Sequence, residues 1–168
     1  MQKIETREKF SEMVKKVEEL RKSGGVDLST EEDLSLAVMN LISLEEHFFL
    51  TAEKTEKSEY FNFLDEVRLV RKELLRRLIS KHEGETWCVS KHLLGTTMRL
   101  MEVGAKLHAD GKPSEAKEIF DYAYRIYSLF WALRLKLINI KGMKEAAAGD
   151  KPWTLEDIMS KLVNCCDE

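Results

Sequence analysis

Apolar residues recur at intervals of three and four along most of the chain, and no segment alternates strictly between apolar and polar residues. The three-four spacing places apolar side chains on one side of an α-helix, whereas strict alternation would indicate a β-strand. The pattern therefore predicts an all-α protein with five to six helices. Four predicted segments have clear limits, at about residues 6–22, 85–109, 113–140 and 154–164.

Between the first two of these segments the pattern predicts two further helices. The earlier one opens at Asp27–Thr30 and the later one ends at Gly84. We place a turn at Lys54–Ser58, because a single helix across this whole region would be unusually long for a globular protein. The 168 residues form one predicted domain, with a bundle core at about 29–141 and a linker and short C-terminal helix at 142–168.

Short connections between long helices favour antiparallel neighbours, so we predict an up-and-down four-helix bundle. The first helix and the short last helix would pack outside this core. The fifth helix carries a second apolar stripe with Tyr124 and Trp131, too broad for one bundle seam. That stripe needs cover from the first helix, from the segment around Trp153, or from a second subunit. We therefore expect a homo-oligomer, with a two-fold dimer as the commonest closed form.

Composition narrows the classes of partner. The chain has 27 Lys and Arg against 30 Asp and Glu, a formal charge of −3. A nucleic-acid-binding protein usually has a basic excess, so this class is not favoured. No stretch approaches the roughly 20 apolar residues of a membrane span, and no secretory signal is predicted. The three cysteines, an odd number, do not form a disulfide framework, which favours a cytoplasmic protein.

Several polar residues occupy helix positions that the apolar spacing assigns to the bundle interior. Glu45 follows Leu41 and precedes Phe48 on the second helix, and Arg71 interrupts the stripe of the third. The fourth helix has the most polar stripe of all. Its predicted inward-facing polar residues are Glu85, Cys88, His92, Thr96 and Arg99. Because a buried charge is costly unless it is paired or bound to a ligand, this cluster is the candidate functional site.

Three interpretations of the cluster remain open. The first is a structural network in which Glu45 pairs with Arg71 or Arg99. The second is a small-ligand or metal site, with zinc or iron held by Glu45, Glu85, Cys88 and His92 and supported by Arg71, Thr96 and Arg99. No CxxC or HExxH motif accompanies these residues. The third uses Cys88 as a nucleophile with His92 as its base.

These interpretations separate two classes of function. One is a bundle whose interior binds a metal or a small ligand, with or without catalysis. The other is a non-enzymatic interaction module that acts as an oligomer, with a purely structural interior network. The sequence leaves open whether the protein is an enzyme.

Three segments carry a family resemblance. They are GETWCVSKHLLGTTMRLMEVG, SLEEHFF and DEVRLVRKELL. Together they resemble a family of conserved hypothetical helical proteins from candidate-phyla bacteria, over Ser43 to about Leu137. The resemblance implies an all-helical fold and a bacterial cytoplasmic origin, and it implies no activity.

Overall fold

The fold is all-α throughout the part of the chain that the computed structural model describes, which comprises residues 11–12, 14–19, 28–79 and 86–137. The helical residues at 11–12 and 14–19 belong to the first helix, α1. The other helices are α2 (Ser29–Thr55), α3 (Glu59–Leu78), α4 (Thr86–Ala109) and α5 (Pro113–Arg134). No strand occurs among these residues, which confirms the predicted fold class.

The breaks between helices follow the local chemistry of the chain. The turn predicted at 54–58 is present, and Glu56 adopts a left-handed conformation at the end of α2. Gly111, at φ 74°, makes the turn before α5, where a residue without a Cβ adopts positive φ at little cost. Pro113 begins α5, where its missing N–H removes no helical hydrogen bond. α5 ends at Arg134 and not at about Ile140, and Lys136 is left-handed just beyond it.

The helices pack as two antiparallel hairpins, α2 with α3 and α4 with α5, and the hairpins meet chiefly between α2 and α4. This arrangement has the alternating direction of an up-and-down bundle. One end of the bundle, here called the closed end, contains the starts of α2 and α4 and the ends of α3 and α5. The opposite end, here called the tip end, contains the two hairpin turns.

Most of the fully buried apolar side chains lie in the half of the bundle next to the closed end. Every helix contributes to this core, because Val17 of α1 and Leu28 before α2 are buried together with residues of the other four. Phe130 packs on Trp131 with ring centroids 5.5 Å apart. The largest members of the core are Met39, Leu75, Leu78, Trp87, Leu94, Phe130 and Trp131.

The second stripe of α5 is covered within the chain, at least in part. Trp131 is only 2% exposed, so it belongs to the core. Tyr124 lies at the surface and donates a hydrogen bond to Glu18 of α1. The first helix therefore covers part of the second apolar stripe of α5, as one of the three alternatives predicted from the sequence. Trp153 lies outside the described residues.

Candidate functional site

An open groove of about 500 Å³ lies between α2, α3 and α4. Its volume is within the range of small-molecule sites, about 300–1,000 Å³. Charged and apolar side chains alternate along its walls. The lining residues are Met39, Ile42, Ser43, Glu45 and Glu46 of α2, Arg68 and Arg71 of α3, and Lys91, His92, Gly95, Thr96, Met98, Arg99 and Leu100 of α4.

The deepest charged group of the groove is Arg71, whose side chain is 1% exposed. Its Nε donates to Oε1 of Glu45 at 2.8 Å, and one of its terminal nitrogens donates to Oε2 at 3.3 Å. Arg68 donates from Nε to the same Oε2 at 3.2 Å. Of the two partners considered for Glu45 in the structural-network interpretation, Arg71 and Arg99, the structure has Arg71. A two-point contact of this kind satisfies a guanidinium that water cannot reach.

The spacing of the helices explains why these groups meet. Glu45 lies on the side of α2 that faces α3, one turn after Leu41 and one turn before Phe48. Arg68 and Arg71 are three residues apart on α3, so both reach the same carboxylate from one side of the helix. Apolar contacts hold the two helices together, and the charged groups pair within that contact.

A second ion pair lies at the solvent side of the groove. Arg99 of α4 contacts the carboxylate of Glu46 and donates to Oγ of Ser43 at 3.1 Å. Both charged side chains are about half exposed, at 49% each. Since exposed pairs contribute only about 0–1 kcal/mol, this one is easily exchanged for another partner. Glu46 is exposed, and its carboxylate lines the groove.

The predicted inward side of α4 is wrong for three residues. His92, Thr96 and Arg99 are exposed along the groove and are not buried in the core. Five of the buried residues of this helix lie nearly on its opposite side, and they are Trp87, Ser90, Leu94, Thr97 and Gly104. Three of these five, namely Ser90, Thr97 and Gly104, are small or polar, so hydropathy spacing does not mark them. Cys88 is buried near the start of α4, one turn before His92 and on the same side of the helix.

Two features of the packing go with this orientation: Trp87 and Leu94 are buried in the core, and α4 approaches α5 closely at Gly104. A Cβ built on Gly104 would lie 2.5 Å from the Phe120 ring of α5, closer than real atoms pack. Only a residue without a side chain permits this contact. Gly104 therefore faces α5, whereas the polar stripe of α4 faces the groove.

The predicted metal site is not assembled by those of its members that can be located. Cys88 is buried and does not line the groove, whereas His92 is exposed and lines it. Glu85 lies outside the described residues. Among the described residues, no three His, Cys, Asp or Glu side chains are grouped so that they could hold a metal ion. Burial of the Cys88 thiol also removes it from the reach of a substrate, which weighs against the nucleophile hypothesis.

The groove is locally cationic although the chain is acidic. Four of its lining residues are Arg or Lys and two are Glu, a formal surplus of two positive charges with His92 neutral. The whole chain carries −3. The sequence analysis did not identify Arg68 and Lys91 as site residues, because neither occupies a position in the predicted apolar stripe of its helix. The signal for Arg68 was its position three residues before Arg71.

Within the described residues, no helix is long and apolar enough to cross a membrane. Comparisons of the chain with family models, with curated proteins and with solved structures found no match.

Proposed function

We propose that the protein binds a small organic anion, with a carboxylate or phosphate group on an apolar body, in the groove between α2, α3 and α4. The observation that carries the proposal is the excess of Arg and Lys around a partly apolar groove. Met39, Ile42, Met98 and Leu100 supply apolar contacts for the body of the ligand. The metal hypothesis is less well supported, because guanidinium and ammonium groups repel a metal cation.

Arg68 and Arg99 are the best-placed ligands for the anionic group. They lie on α3 and α4 respectively, on two different walls of the groove, and both have solvent-exposed side chains. Arg99 can exchange the Glu46 carboxylate for a ligand carboxylate or phosphate at little cost. Arg71 has a different role, because its buried guanidinium is held by Glu45 and fixes α3 against α2.

A titration monitored by amide chemical shifts tests this proposal, since it measures affinity and places the ligand. The probes are hexanoate and phenyl phosphate, with hexanamide and phenol as neutral analogues of similar shape. We expect the anions to shift the amides of Ser43, Gly95 and Thr96 and to bind more tightly than the neutral analogues. Added salt should weaken the anions selectively.

The matched pair of variants is Arg99→Gln and Arg76→Gln. Arg76 also forms an exposed pair, with Glu73, but it lies outside the groove. Loss of a charged hydrogen bond should weaken anion binding about tenfold or more in Arg99→Gln and leave Arg76→Gln unchanged. Equal binding of neutral and anionic probes, or equal behaviour of the two variants, would overturn the proposal.

A further inference from the structure

The α2–α3 hairpin has a second apolar side that is directed away from α4 and α5. On α2, the residues directed toward the other hairpin are Ser35, Met39, Ile42 and Glu46, spaced four, three and four apart. A second line of residues on α2 follows the first with an offset of two positions along the chain. It contains Leu41, Leu44 and Phe48. At about 100° per residue, the centre of this second line lies nearly opposite the first. Leu41 and Phe48 lie at its border with α3, beside Glu45, and Leu44 lies furthest from α3.

α3 continues the same side of the hairpin. Phe63 contacts Phe48, with ring centroids 5.7 Å apart. Val67 and Val70 follow Phe63 at intervals of four and three residues, away from the groove residue Arg68. Phe63 is 54% exposed, Val70 50% and Leu44 37%. We call this surface the outward face, formed by Leu41, Leu44, Phe48, Phe63, Val67 and Val70.

The outward face has the pattern of a helix-pairing surface. Apolar residues spaced alternately three and four apart on two neighbouring helices form the seam by which helices pack into bundles. α3 is 20 residues long, about 30 Å at 1.5 Å per residue. Two helices, each about 10 Å wide, give a face of roughly 600 Å². This approaches the roughly 800 Å² that each partner buries in a stable interface.

The charges at the rims of the outward face indicate what covers it. The rim of α2 has Asn40, His47 and Lys54, spaced seven residues apart, and none of them is acidic. The rim of α3 has Glu59, Glu66 and Glu73, also spaced seven apart. All six residues are exposed. Asp33, seven residues before Asn40, is acidic, and Glu73 pairs with Arg76 of its own helix. From His47 and Glu66 to the turn between the helices, one rim is therefore neutral to basic and the other is acidic.

We propose that the outward face binds the outward face of a second copy of this chain, related by a two-fold axis parallel to the helices. Such an axis places α2 of one copy opposite α3 of the other. Residues at the same height along the axis in the two copies then face each other. His47 then meets the partner's Glu66, and Lys54 meets the partner's Glu59. The two-fold axis produces each of these contacts twice.

This dimer uses a different surface from the one predicted on α5. Trp131 is buried in the core, so it is not available to a partner. The outward face and the groove lie on opposite sides of α2, so dimer formation leaves the groove open. The two proposals therefore stand or fall independently.

Light scattering and sedimentation equilibrium of the full chain test the dimer. We expect a mass of twice 19.5 kDa for the wild type. Val70→Glu should raise the dimer dissociation constant about tenfold or more, because it buries a carboxylate in the interface. Leu69→Glu is the matched control. Leu69 is adjacent and more exposed, at 60%, but lies on another side of α3, so this variant should remain dimeric.

A charge exchange tests the orientation. His47→Glu should weaken the dimer because it opposes the partner's Glu66, and adding Glu66→Lys should restore association. The two residues lie on opposite rims of one hairpin, so this rescue requires a second copy. Circular dichroism of each variant checks that the helices are intact. A monomeric wild type at millimolar concentration, equal effects at positions 69 and 70, or failure of the rescue would overturn the proposal.

Discussion

The two ends of the bundle are built in different ways. At the closed end, all five helices contribute to one core, and side chains such as Phe130 and Leu75 have no exposed surface. At the tip end, the buried residues belong to separate hairpins, as Ala52 and Leu64 do in one and Gly104 and Ala116 in the other. Large apolar side chains remain exposed there, among them Phe49, Leu50, Phe61, Phe63, Met101 and Val103.

The groove lies where these two modes of packing meet. Ile42 of α2 lies against Gly95 of α4, so the hairpins approach closely at that level. One turn further toward the tip, the contact between them is the exposed pair of Arg99 and Glu46. The comparison shows that the large buried core lies at one end, whereas the middle and the tip leave apolar and charged side chains exposed.

The largest expected effect is at the core. Phe130→Ala should lower the free energy of unfolding by about 3–5 kcal/mol, because it leaves a cavity among fully buried side chains. Phe49→Ala, at 47% exposure, should cost about 1.5 kcal/mol or less. Chemical denaturation at low protein concentration measures both values. Similar losses in the two variants would contradict the distinction between the two ends.

The next effect concerns the ion pair at the boundary. Glu45→Ala leaves the buried Arg71 guanidinium without its carboxylate and should cost about 3–5 kcal/mol. Glu46→Ala, which removes an exposed partner of Arg99, should cost about 1 kcal/mol or less. Equilibrium unfolding compares the two.

A double variant sharpens this result. Replacing both partners, as Glu45→Leu with Arg71→Met, removes the unpaired charge and should recover much of the stability lost in Glu45→Ala. If Glu45→Ala is as mild as Glu46→Ala, then Arg71 does not depend on Glu45, and the pair does not join α2 to α3.

The smallest effect is expected at His92. Because this residue is exposed along the groove, His92→Ala should change the free energy of unfolding by no more than about 0.5 kcal/mol. A thermal or chemical unfolding curve measures the change. A loss of several kcal/mol would mean that α4 turns its polar stripe toward the core after all.

Local spacing along the chain predicts much of the fold. The helices, the turn after α2 and the start of α5 at Pro113 each depend on a few consecutive residues. A contact between Glu45 and Arg71 was one of two pairings that the sequence offered, because both residues interrupt apolar stripes of neighbouring antiparallel helices. These features follow from periodicity and from the cost of an unpaired buried charge.

The orientation of α4 and the composition of the groove depend on contacts between residues far apart in the chain. Hydropathy spacing assigned His92, Thr96 and Arg99 to the interior, whereas the structure buries the opposite side of α4, with Leu94 in the core and Gly104 against Phe120. A glycine contributes nothing to a hydropathy pattern, yet it sets how closely two helices approach. The local pattern therefore defines which segments are helical, whereas the packing of side chains between helices defines which side of each helix is buried and which side is exposed.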